Sequence, residues 1–165
     1  EKLGSKAEAH NFADFWTWLM ERRDEAHAAG KTFAAYCYSA HGENHWMRMS
    51  AQRFHEHTPG VPSVEEVNAF INSGEWVDMF VHVKKNFVGP YGLSLKTVAP
   101  QAGFNWEQGD FDGEESVNAR RVAIGIDETA MRAREMLLTY NADDVQATLA
   151  VREWMSDNAP GVPRL

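Results

Sequence analysis

Apolar and polar positions along the chain alternate between two periods. From Asn11 to Ala29 the apolar residues Phe12, Phe15, Trp16, Leu19 and Ala26 recur at helical spacing. They face one way, "ERRDE" faces solvent, and Gly30 supplies a stop, so the pattern predicts a first helix. The run "KTFAAYCYSA" is mostly apolar and rich in aromatics, which predicts a strand buried on both faces. A second helix is expected from near Glu43 through "ENHWMRMSAQRF", followed by a loop at "HEHTPGVP". Ser63 and Glu66 have the S-x-x-E spacing of a capping box, so a short third helix should begin there.

Further along, the periods compete. "EWVDMFVHVKKNF" fits a strand, a helix, or a strand running into a helix; as a strand it puts Trp76, Asp78, Phe80 and His82 on one side. "VGPYGLSLKTVAPQAGF" predicts a turn and then a short helix from Ser94, stopped by Pro100. "NWEQGDFDGEESVN" reads as a polar, acidic loop. Asp127 should cap a helix through "ETAMRAREMLLTY", and "YNADDVQATLAVREWM" a last one. Helices alternating with one or two buried strands predict an α/β fold with few strands, and a sheet that small needs partners. Residues 1–157 are expected to form the domain, and 158–165 a tail that is disordered or flat on the surface. The chain opens without methionine and enters a helix almost at once, which suggests a piece of a longer polypeptide.

The last helix carries an anomaly. Its inward stripe is Asp144, Ala147, Thr148, Val151, Trp154 and Met155, and a carboxylate heads it. Asn141 could be an N-cap with Asp144 as its third-position acid, a purely structural role. Alternatively a buried carboxylate meets a cation, several donors or a metal, because burial without a partner is costly. In one continuous helix Tyr140, four residues earlier, lies beside it.

Composition narrows the chemistry. A length of 165 residues with 44% hydrophobic content suits one globular domain with a real core. The formal net charge of −8 argues against gripping nucleic acid by a basic surface alone, but it suits carboxylates gathered around divalent cations. The lone cysteine, Cys37, sits in the apolar strand and reads as a buried thiol. No apolar run is long enough to cross a bilayer and no signal peptide opens the chain, so a cytoplasmic location is expected.

Four stretches, "AAYCYSAHGENHWM", "EWVDMF", "YGLSLKTVAPQAGFNW" and "YNADDVQATLAVREWM", resemble the carboxy-terminal domain of bacterial RecB-like nucleases. Those proteins carry a RecB-type nuclease region followed by a ribonuclease H-like domain of 3′–5′ exonuclease type. The resemblance implies a helix-rich ribonuclease H-like α/β domain, truncated at its N-terminus with the first three strands absent. It implies a two-metal site for Mg²⁺ or Mn²⁺, held in such exonucleases by four acidic residues and, in one subgroup, aided by a tyrosine. The family's final Tyr-x-x-x-Asp motif matches Tyr140 and Asp144, its middle acid matches Glu43, and a recurrent aspartate matches Asp78. Glu43, Asp78 and Asp144 would then be metal ligands, with Tyr140, Asp144 and Glu43 catalytic and Tyr140 orienting the attacking water. The family's Asp-x-Glu motif has no match on a strand; Asp112-Gly113-Glu114 reads as solvated loop. The expected function is therefore metal-dependent 3′–5′ exonucleolytic hydrolysis of phosphodiester bonds, incomplete and weak or absent in this chain. The alternative is a degenerate docking or scaffolding domain of a larger nuclease. Implied partners are a DNA or RNA strand and an upstream RecB-type domain; separately, the exposed sheet edges and apolar surface of a domain without its leading strands predict self-association with a second copy of the chain.

Other signals read as ordinary structure. His41 and His45 are four apart, but the glutamate at 43 is out of place for H-E-x-x-H, and His55 and His57 lie in a polar loop, so zinc is not expected. Trp46 could stack on a base but suits helix packing. Lys84, Lys85 and Lys96 read as surface lysines.

Overall fold

A computed structural model of the chain describes residues 5–107, 111 and 113–158. These form two compact units, Glu1–Asp78 and Met79–Leu165.

In the first unit, α1 (Lys6–Ala28) starts at Ser5, whose hydroxyl accepts from Glu8 N. It buries Ala9, Phe12, Ala13, Trp16 and Leu19, one stripe at helical spacing. Strand β1 (Ala35–Cys37) leads into α2 (His41–Phe54) and α3 (Val64–Ile71), and the chain returns as β2 (Trp76–Asp78). The two strands pair in parallel, with Cys37 opposite Asp78. The Ser63 capping box forms in full: Glu66 N donates to Ser63 Oγ at 3.1 Å and Ser63 N to Glu66 Oε2 at 2.7 Å. Aromatic edges knit the core, with Trp46 on Phe12 at 5.1 Å and Phe70 between Trp16 and Trp76, each at 5.8 Å. Trp46 is thus a packing residue, and His55 is a loop brace whose Nδ1 bonds Val61 O at 2.9 Å. Glu75 joins the sheet to α1 through Arg23 and His27, both at 2.6 Å.

In the second unit, α4 (Met79–Asn86) follows β2 without a break, so "EWVDMFVHVKKNF" is the strand that runs into a helix. A turn at Gly89–Gly92 leads to α5 (Leu95–Val98), which begins after Ser94 as expected. Pro100 does not end the helical path. It sits at the start of a 3-10 turn, Ala99–Ala102, where its missing N–H costs nothing, and left-handed Gly103 closes that turn. Helix α6 (Gly113–Ala123) occupies the second half of the expected acidic loop, and Asp112 lies outside the described residues. Its turn into α7 (Glu128–Asn158) is braced by Asp127, which accepts from Ala130 N at 2.8 Å, and by the Arg134 guanidinium on Ala123 O.

The two helices expected at the end of the chain are one helix of 31 residues. No proline or glycine interrupts it, so Asn141 lies mid-helix and cannot be an N-cap. The stripe is as expected: Ala147, Val151 and Met155 are fully buried, and Asp144, Thr148 and Trp154 half-buried. Arg152 is also buried there, its guanidinium donating to Ser156 Oγ. The expected tail, apart from Asn158, lies outside the described residues. The whole is helix-rich with a small two-stranded parallel sheet, a mixed α/β fold.

Candidate functional site

Asp144 lies in the middle of α7, far from the amides of either helix end, so its carboxylate finds partners elsewhere in its unit. The indole Nε1 of Trp106 donates to Asp144 Oδ1 at 2.9 Å. Lys96, from α5, places its ammonium 4.6 Å from the Trp106 ring centre and 5.2 Å from that of Tyr140, one helical turn before Asp144. The same ammonium donates to Phe111 O at 2.8 Å, and the Phe111 ring stands edge-on to Tyr140 at 5.0 Å. Next door, Asp143 Oδ2 accepts from Glu107 N at 3.0 Å. Two consecutive carboxylates of α7 thus fasten Trp106 and Glu107 to the helix, and one lysine gathers the aromatic rings between them.

Burial raises the pKa of Asp144 above the ordinary carboxylate value, and the charge on Asp143 adds to that. The Trp106 hydrogen bond and the Lys96 charge pull the other way without cancelling it. The residues that sequence reasoning missed are therefore Lys96 and Trp106. Lys96 had the look of a surface lysine, yet it is half-buried with a carbonyl and two rings around it. The available signal was Trp106 itself, a large aromatic stranded in an acidic segment with no apolar stripe of its own.

Glu43 and Asp78 belong to the first unit. Glu43 is exposed on the first turn of α2, where the helix dipole favours an acid. Asp78, the last residue of β2, has both oxygens occupied: Ser39 N donates to Oδ1 at 2.8 Å and Ala40 N to Oδ2 at 3.0 Å. These bonds hold the turn from β1 into α2, where Ser39 takes a left-handed φ of 64° that a non-glycine residue rarely adopts. Both acids act on Cys37. Burial first, then Asp78, then Glu43, pushes its thiol up to about 12. The Tyr38 hydroxyl is likewise raised to about 12, by burial and then Asp78.

Hard divalent cations need several converging oxygen ligands. Among the described residues no group of three or more His, Cys, Asp or Glu side chains is arranged to hold a metal ion. Around Asp144 the neighbours are an indole donor, an ammonium and aromatic faces, which suit an anion. Taken unit by unit, the described residues do not fit a metal pair. The structure brings Tyr140 and Asp144 together on one helix, and Glu43 and Asp78 around Cys37.

No curated protein and no solved structure matches the chain. A family model of the RNase H superfamily matches residues 51–156, which include Asp78, Lys96, Trp106, Tyr140 and Asp144 but not Glu43. With well over half of its length inside that match, the chain belongs to the RNase H superfamily.

Proposed function

We propose that the chain is a 3′–5′ exonuclease-type domain whose ligand is a nucleic acid strand, and that on its own it hydrolyses phosphodiester bonds weakly or not at all. The superfamily supports the general part: RNase H-like domains bind nucleic acid, and the nucleases among them use divalent metals. The observation that carries the reading is the half-buried Asp144, one turn after Tyr140 on α7 and inside the matched stretch. Glu43, Asp78 and Asp144 are the positions at which the exonuclease family would hold Mg²⁺ or Mn²⁺. Low turnover is supported by what two of those acids already do, Asp78 on two backbone amides and Asp144 on an indole beside a lysine. These commitments also favour the second reading, a degenerate docking or scaffolding domain beside a RecB-type nuclease domain in the cytoplasm.

A second copy of the chain is a further partner. Met131, Leu138 and Val145 are exposed at seven-residue intervals on α7, with Leu149 beside them, a seam of coiled-coil spacing. Sedimentation of Leu138→Glu as a smaller species than the parent chain supports this; identical sedimentation removes it. No helix is long and apolar enough to cross a membrane among the described residues.

The test is incubation with 3′-labelled single-stranded DNA and RNA in Mg²⁺ or Mn²⁺, together with strand binding in EDTA. Strand binding with little or no cleavage is expected. Robust cleavage abolished by Asp144→Asn would overturn the low-turnover reading, and absence of strand binding would leave the docking domain.

A further inference from the structure

We propose that the Lys96 ammonium is the resident counter-cation of Asp144, standing in for the divalent metal that an exonuclease-type domain would place there. It follows that Asp144 anchors the segment around Trp106 to α7 and is not a metal ligand. This rests on the exonuclease-type reading of the Tyr140–Asp144 pair.

Three features of the site carry it. First, the lysine is held by the fold itself and is not a free surface arm. Its ammonium donates to Phe111 O at 2.8 Å and lies over the Trp106 and Tyr140 rings at 4.6 and 5.2 Å. Half-burial strengthens each of these contacts by excluding part of the solvent. Second, Trp106 links cation and anion. Its face meets the ammonium while its N–H edge donates to Asp144 Oδ1 at 2.9 Å, so one ring contacts both charged groups. Phe104, edge-on to Trp106 at 5.2 Å, fixes the ring in that orientation. Third, the remaining neighbours among the described residues do not make a metal shell. Asp143, the adjacent acid, is turned to Glu107 N at 3.0 Å. A divalent ion at Asp144 would be repelled by the Lys96 charge, which already acts on that carboxylate. A lysine supplies one positive charge and directional N–H donors, which is what a single carboxylate and two aromatic faces can use.

The probe is Mn²⁺ alone, added to the full chain with its tryptophan indole N–H resonances observed by NMR. Asp144→Asn and Lys96→Met are each expected to shift the Trp106 indole signal, which assigns it. In the parent chain stoichiometric Mn²⁺ should leave that signal sharp. In Lys96→Met, with the repelling charge gone, Mn²⁺ should broaden it at a concentration lower by about tenfold or more, and Lys96→Arg should behave as the parent does. Broadening in the parent chain that Asp144→Asn removes overturns the proposal, as does a Lys96→Met response no different from the parent's. Should Lys96→Met fail to fold, the parent and Asp144→Asn decide the question alone. Strand binding, measured separately, reports on the exonuclease-type reading, so the two can fail independently.

Discussion

Replacing Asp78 by Asn tests whether that acid is a structural brace. In the parent chain its two oxygens accept from Ser39 N at 2.8 Å and Ala40 N at 3.0 Å. Asparagine keeps one acceptor and turns an NH₂ toward the other amide, so one bond to a charged acceptor is lost and a donor faces a donor. Hydrogen bonds to charged groups contribute about 1.5–3 kcal/mol. The Ser39 bond is exposed and water can replace it, whereas the Ala40 bond is partly buried. The expected loss is therefore at the low end, about 1.5 kcal/mol. Ser39 would also be freer to leave its left-handed conformation. Urea unfolding in EDTA, followed by tryptophan fluorescence, measures this with no metal present. The same variant removes a negative charge that raises the Cys37 thiol, so alkylation of Cys37 should set in at lower pH than in the parent. The thiol should still titrate above 9.0, because burial, the largest cause of its shift, remains. Unchanged urea stability together with an unchanged alkylation profile would refute the brace and leave Asp78 free for another role.

Ser63→Ala removes one half of a complete capping box and should destabilise the fold by about 1 kcal/mol in urea unfolding. Glu66 is held below the usual carboxylate range chiefly by its hydrogen bonds with Ser63. That contribution is present above the unfolded value and disappears as pH falls through the lowered folded one. The penalty of Glu66→Gln should therefore be visible at pH 7 and shrink at the acid end of the range; a pH-independent penalty contradicts this. Gly60→Ala should cost about 1–2 kcal/mol, because Gly60 has φ 86° and an added Cβ would stand 3.3 Å from Ala13 Cβ. A Tm equal to the parent's would show that the loop relaxes.

Much of this structure is legible locally. The apolar stripe of α1, the Ser63 box and the stripe of α7 all follow from spacing within one element, and each is present. Two errors have a common physical cause. Helix α6 buries no apolar stripe of its own, since Val117 and Val122 are exposed, so nothing in its pattern separates it from loop; it is helical because it packs on α7. Conversely, Asn141 has the preference of an N-cap but no helix breaker precedes it, and continuity of α7 overrides a weak local preference. The candidate site was half legible. Asp144 on an inward face could be read from periodicity, but its partners lie 38 residues away at Trp106 and further still at Lys96. Such a cluster depends on how the chain turns at Gly89–Gly92 and Gly103, which no spacing rule specifies.

Lys96, Trp106 and Asp144 form one electrostatic assembly, and a double-mutant cycle of Lys96→Met and Asp144→Asn in urea unfolding tests it most directly. Each change alone strands the other's charge, whereas the double variant strands neither. The two penalties should therefore fail to add by about 1 kcal/mol, with the double variant more stable than their sum. Penalties that add to within about 0.3 kcal/mol would mean that the lysine and the acid act independently, and the assembly would not exist as described.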